Sequence, residues 1–88
     1  IIICGSGNGA AMTANKYRNV RAAVCWEKEL SKLARLHGDA NIISLPARYI
    51  SIKKSLEIIK IFLKTDFEGG RHQKRIEKIE PSWLSCCT

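Results

Sequence analysis

A chain of 88 residues has room for one domain, and a domain of this size buries only about 60–65% of the surface its unfolded form exposes. Hydrophobic residues make up 45% and charged residues 26%, proportions that exclude a disordered tail or a collagen-like repeat. The 15 lysines and arginines against 8 acidic residues leave a formal charge of +7, which calls for an anionic partner: nucleic acid, an acidic membrane surface or a phosphorylated small molecule.

In chain order, Ile1-Ile2-Ile3-Cys4 is a short β-branched run ended by the glycine-rich Gly5-Ser6-Gly7-Asn8-Gly9. Ala10 to Lys16 favours helix through Ala10, Ala11 and Ala14. Arg21 to Trp26 is a second apolar run, and Glu27 to Leu36 reads as a helix with Leu30, Leu33 and Ala34 on one face. Asn41 to Leu45 is a third strand. Ser51 then caps a helix whose Ile52, Leu56, Ile59 and Leu63 recur at helical spacing. Gly69-Gly70 breaks it, and Arg71 to Ile79 reads as a last, very polar helix. Short apolar strands without alternation are expected to be buried on both faces. The series predicts an α/β fold: a three-layer, Rossmann-like open parallel sheet with right-handed crossovers, about three strands and four helices.

Three strands are few for such a sheet, and Ile1 already lies inside a strand-like run, so an incomplete domain is expected. No run of about 20 apolar residues is present, and no charged segment leads into an apolar one, so neither a membrane span nor a signal peptide is expected. Cys4 and Cys25 sit in apolar runs, and Cys86 and Cys87 are adjacent. No C-x-x-C occurs and neither histidine is spaced with a cysteine as zinc ligands would be, so the reading is a reduced, cytoplasmic protein without a metal.

Ligands of open α/β sheets bind beyond the carboxyl ends of the strands, which selects Cys4 to Gly9, Trp26 with Glu27, and Pro46 to Arg48. The glycine loop lets backbone N–H groups approach an anion at a helix start, or it is a tight turn that binds nothing. Cys4 is a small buried hydrophobe or a thiolate at a strand end. Ser6 is a turn residue or a proton relay. His37 ends a helix, where it touches the last carbonyls or serves a site elsewhere. Arg71 and Arg75 share one helix side, a solvated face or a phosphate clamp.

Ile2-Ile3-Cys4-Gly5-Ser6-Gly7-Asn8-Gly9, Ala14-Asn15-Lys16, Val20-Arg21-Ala22, Ala34-Arg35-Leu36-His37 with Asp39-Ala40-Asn41, Ala47-Arg48 and Gly69-Gly70-Arg71-His72-Gln73-Lys74-Arg75 follow one another. Together they resemble the carboxyl-terminal half of the type B ribose-5-phosphate isomerases, with galactose-6-phosphate and allose-6-phosphate isomerases in the same superfamily. The G-G-R-H-x-x-R ending favours the ribose branch. By this resemblance residues 1–80 are the carboxyl-terminal part of one isomerase domain and 81–88 an atypical tail without a charged side chain, a frame error or an expression scar.

The resemblance implies interconversion of ribose 5-phosphate and ribulose 5-phosphate without metal or organic cofactor. Cys4 matches the family's base, Ser6 the hydroxyl that assists proton transfer and His37 the histidine that helps open the furanose ring. The N–H groups of Gly5, Ser6, Gly7, Asn8 and Gly9 would hold the enediolate, and Arg48, Arg71 and Arg75 match the phosphate-binding arginines. Since His37 ends a helix returning from the strand tips, a homodimer with shared active sites is expected. The family's amino-terminal half, with its Asp-His pair, is absent, so this chain alone is expected to be inactive. Gly38 stands where asparagine commonly follows the histidine, and Pro46 where glycine is usual. The rival readings are a small basic nucleic-acid-binding module and a remnant that only dimerises. Aromatics of only 7%, with none among the basic residues, weigh against the former.

Overall fold

The computed structural model describes residues 1–79. Strands β1 (Ile2–Cys4), β2 (Ala22–Val24) and β3 (Ile42–Pro46) alternate with helices α1 (Asn8–Ala14), α2 (Lys28–Leu36) and α3 (Ile52–Lys64), and α4 (Arg71–Glu77) follows. The expected parallel α/β sheet is present. Its strand order is β1-β3-β2, with Cys4 opposite Pro46 and Val24 opposite Ser44.

That order decides where the helices go. The crossover from β1 to β2 passes the place that β3 fills, and the return from β2 to β3 runs the other way. Right-handed connections therefore put α1 on one face and α2 on the other. Accordingly α1 lies against all three strands, while α2 packs on α3. The main core forms on the α2–α3 face from Cys25, Ala40, Ile43, Leu45, Ile58 and Phe62, with Leu30, Ala34 and Ile59 packed against it. The buried Ser31 hydroxyl donates to Ile58 O at 2.9 Å and so satisfies itself on the partner helix.

Local chemistry sets the element ends. Ser51 caps α3 as its position predicted, accepting from Lys54 N at 3.1 Å. Gly69 and Gly70 both take positive φ, 78° and 61°, a pair of left-sided residues that turns the chain into α4. Helix α3 ends earlier than expected, at Lys64, where Thr65 leaves the helical region and its hydroxyl donates back to Ile61 O.

Two expectations about burial are corrected. Of the strands, only the central β3 is buried along most of its length; Ile3 on the edge strand β1 is 68% exposed, whereas β2, the other edge strand, is half-buried. Of the stripe read on α3, only Ile59 packs against the core. Ile52, Leu56 and Leu63 are exposed, and Ile58 and Phe62 enter the core. Both faces of α3 are apolar, so periodicity alone could not choose between them. The tail 81–88, with Cys86 and Cys87, lies outside the described residues.

The two faces are separable by stability. In urea titrations of the chain, Ile58→Ala should cost about 2–5 kcal/mol, the cavity penalty of a fully buried side chain. Leu56→Ala should stay within about 0.5 kcal/mol. Equal losses would show that the sequence-read stripe carries the core after all.

Candidate active site

Strand β1 delivers Cys4 to the carboxyl edge of the sheet, and β3 delivers Pro46 beside it. Beyond the strands the two chains stay joined: Ala47 N donates to Cys4 O at 2.8 Å and Arg48 N to Gly5 O at 3.1 Å. The helices after β1 and β3 leave on opposite faces, so the crevice between these strand ends is the switch point where open α/β sheets take their ligands. Cys4, the glycine loop and Arg48 all converge there. Arg48 lies across Gly5: a Cβ on Gly5 would sit 3.1 Å from Arg48 Nε, so the bare glycine makes the room.

The loop is shaped by Gly7, whose φ is +80°. A side chain there would meet Val24 Cγ1 at 3.2 Å, Ser44 Oγ at 3.3 Å and Pro46 N at 3.4 Å. Ser44, fully buried on the central strand, donates to Gly7 O at 2.7 Å. Gly7 N in turn points at Cys4 Sγ, 3.2 Å away, and Asn8 N at Ser6 Oγ, 3.3 Å away. The sulfur thus receives a donor from its own loop. Asn8 and Gly9 are exposed at the start of α1. Beside the loop opens a cleft of about 470 Å³ lined by Ser6, Asn8, Val24, Trp26, Pro46 and Tyr49.

His37, Arg71 and Arg75 lie elsewhere. His37 is the C-cap of α2, at the amino end of the strands. Its neighbours say so: Arg35 donates to Ala40 O at 2.6 Å and Glu68 N to Leu36 O at 3.0 Å. The length of β3, at about 3.3 Å per residue, separates this end from Cys4. The His37 ring stacks on His72, with centroids 4.2 Å apart and planes 14° from parallel, and Arg71 and Arg75 are exposed on the same short helix as His72. Within one chain, then, the site residues form two groups: Cys4, Ser6, the loop and Arg48 at one end, His37, Arg71 and Arg75 at the other.

Several residues that build these ends were quoted in the family motifs but given no role by the sequence. Asp39, at φ 45°, binds Arg21 at 3.3 Å and Arg35 at 3.2 Å, while Arg21 Nε donates to Asp39 O at 2.8 Å. Asn41 links Arg21 N at 2.8 Å with Asn19 O at 2.7 Å, and Asn15 exchanges both amide bonds with the backbone of Ala22. Each pairs groups far apart in sequence, a relation that no local pattern displays. Ser44 gave no signal beyond being a polar residue within an apolar strand.

The two described cysteines are chemically distinct. Cys25 is 1% exposed, and burial pushes its thiol up to about 11. Cys4 is half-buried at the loop. Iodoacetamide at pH 8 should therefore alkylate Cys4 at least about tenfold faster than Cys25, read by peptide mass mapping. Because the thiol of Cys25 holds its proton more tightly in the folded state, its contribution to stability is full below the ordinary value of 9.0. That contribution is lost as pH rises from there through about 11.

The sequence matches the Ribose/Galactose Isomerase family over residues 1–79. It is 46% identical to the probable ribose-5-phosphate isomerase B of Mycoplasma genitalium, covering 90% of this chain and 52% of that protein. It is 39% identical to ribose-5-phosphate isomerase B of Escherichia coli over 90% of this chain and 53% of that one. Among solved structures, the M. genitalium enzyme with bound ribulose 5-phosphate superposes with TM-score 0.86 at 45% identity, covering 88% of this chain and 51% of that one. The Clostridium thermocellum enzyme superposes with TM-score 0.89 at 38% identity, covering 98% and 57%. The chain therefore spans about half the length of these relatives. The crossed sheet, the glycine loop behind Cys4 and these matches agree: the chain belongs to the ribose/galactose isomerase family.

Proposed function

We propose that this chain serves an aldose–ketose isomerase that interconverts ribose 5-phosphate and ribulose 5-phosphate. The observation that carries the reading is Cys4 at the switch point, its sulfur facing the Gly7 N–H inside a glycine loop. The ribulose 5-phosphate bound in the M. genitalium relative supports the substrate class. In the proposed reaction Cys4 thiolate removes the proton from C2 of the open-chain aldose and returns it to C1. The hydroxyl of Ser6 carries the accompanying proton between the two sugar oxygens. The charge of the intermediate enediolate falls on backbone N–H groups of the Gly5–Gly9 loop, of which those of Gly7 and Asn8 turn from Cys4 Sγ and Ser6 Oγ.

Ring opening is assigned to His37, and the phosphate to Arg48, Arg71 and Arg75. Because His37, Arg71 and Arg75 sit at the amino end of the strands, a second copy of the protein would supply them to the Cys4 loop. A homodimer with two shared sites is then the catalytic unit. The domain assignment, residues 1–80 as the carboxyl-terminal part of one isomerase domain, fits the share of the relatives that is matched. A cytoplasmic setting fits the free thiols of Cys4 and Cys25. Among the described residues no helix is long and apolar enough to cross a membrane. The nucleic-acid reading is not favoured, since the relatives are named as sugar-phosphate isomerases.

The test grafts residues 1–79 in place of the matching half of the E. coli relative and follows ribulose 5-phosphate formation. Cys4→Ser in the graft should lower turnover by about 10²–10⁴-fold, the range typical of a lost general base, with an unchanged circular dichroism spectrum. Near-normal turnover would remove Cys4 from the role. Mixing the Cys4→Ser graft with a His37→Asn graft, each inactive alone, should restore up to about a quarter of native activity. That figure follows from hybrid dimers holding one site with both residues intact, given random subunit exchange. No recovery after verified exchange would count against shared sites.

A further inference from the structure

We propose that Ser44 is a positioning residue for Cys4: its buried hydroxyl, on the central strand, fixes the resting loop conformation in which a backbone N–H faces the sulfur. Alternation along β3 sends Ile43 and Leu45 into the core beneath α2 and α3. It therefore turns Ser44 to the opposite face, toward α1 and the glycine loop. There the hydroxyl has no exposure to water, and it donates to Gly7 O at 2.7 Å. The small side chain also leaves the loop its place, since a Cβ on Gly7 would stand 3.3 Å from Ser44 Oγ.

The loop needs such an anchor. Gly7 is the N-cap of α1, and a glycine brings no capping hydroxyl of its own. Helix α1 has seven residues, too few to fix its own starting point. Gly7 O also takes the first bond of that helix, from Ala11 N, at the longer distance of 3.2 Å. Glycine has the widest backbone freedom of any residue, so an untethered Gly7 is free to leave its φ of 80° and ψ of −15°. Those two angles join the peptide unit whose carbonyl Ser44 holds to the preceding one, whose N–H lies 3.2 Å from Cys4 Sγ. Holding the first unit therefore orients the second. A donor facing a sulfur favours thiolate over thiol, and the thiolate is the form that reacts. At the far end of α1, Asn15 exchanges both amide bonds with Ala22, so losing the Ser44 anchor frees the loop and not the whole helix. The bearing of Ser44 on turnover rests on Cys4 being the base; its hold on the sulfur does not.

The test follows alkylation of the full chain by iodoacetamide at pH 7, with peptide mass mapping of each cysteine. In Ser44→Ala the rate at Cys4 should fall about two- to tenfold, the worth of one hydrogen bond. The buried Cys25 should stay protected and so report an intact core. A loop merely loosened would expose Cys4 and speed its reaction, so the direction of the change separates positioning from plain structural support. Ser44→Thr keeps the hydroxyl and should hold the native rate within about twofold. Where Ser44→Ala loses its circular dichroism spectrum, Ser44→Cys, close in size and a much weaker donor, takes its place with the same expected fall. In the E. coli graft, Ser44→Ala should lower kcat by a similar factor with KM unchanged. Only this arm depends on the isomerase reading; the alkylation rates decide the role of Ser44 even with an inactive graft. A Cys4 rate in Ser44→Ala equal to or faster than the native one with Cys25 still protected, or an equal fall in Ser44→Thr, would overturn the assignment.

Discussion

One buried hydroxyl organises the loop at the carboxyl edge of the sheet. Ser44 lies on the central strand with no exposure to solvent, and its Oγ donates to Gly7 O. A hydroxyl buried without a partner costs free energy on the order of 1–3 kcal/mol, so the loop must come to it or the strand must move. The loop comes, and it can do so only because Gly7 has no side chain and tolerates φ near +80°. Once Gly7 O is held down, the N–H of the same residue is turned up toward Cys4 Sγ. The donor at the sulfur and the carbonyl held by Ser44 thus belong to successive peptide units joined at the Gly7 Cα. A substitution at Ser44 would disturb the sulfur without touching it.

Topology then divides the labour. A parallel sheet has one edge made of strand ends followed by loops, and an opposite edge where helices return. The amino edge here is held by charge: Asp39 accepts from two arginines, and Arg35 reaches Ala40 O, Thr65 O and the Phe62 ring, 5.7 Å from its centroid. This cluster fixes where α2 stops, and His37 is the residue at which it stops. Arg35 thus positions His37 by shaping the turn beneath it. Two groups at opposite edges of the sheet cannot meet within one chain, which is why the proposed reaction calls on a second copy.

How much of this could be read from the sequence follows the range of the interactions. Ser51 as a cap and the alternation of strand and helix are local signals that appear where expected, whereas Gly69-Gly70 opens α4 and α3 has already ended at Lys64. The α3 stripe misled, because Ile52, Leu56 and Leu63 repeat as regularly as Ile58 and Phe62, and only the position of β3 decides which set is covered. The bonds between Arg21 and Asp39, Asn41 and Asn19, or Ser44 and Gly7 span 18, 22 and 37 residues and leave no periodicity to detect. Much of what made the motifs recognisable, Asn15, Arg21, Arg35, Asp39 and Asn41 among them, turns out to be scaffold. Cys4, Ser6 and the arginines were legible as chemistry, but their division between two edges needed the strand order.

The two departures from the family pattern have physical grounds in the same contacts. At Gly38 a Cβ would stand 3.0 Å from Ala34 O, the carbonyl that also accepts from Ala40 N at 2.9 Å. Glycine lets this turn close directly against the helix end, whereas a larger residue here must displace the carbonyl or the turn. Pro46 ends the central strand opposite Cys4, and proline brings no N–H to a position inside a sheet. The glycine loop lies over this position: a Cβ on Gly7 would stand 3.4 Å from Pro46 N. The ladder to β1 is unbroken, with Ala47 N donating to Cys4 O. Gly7 is held to glycine chiefly by its own φ of +80°, and Pro46 by the strand end it closes.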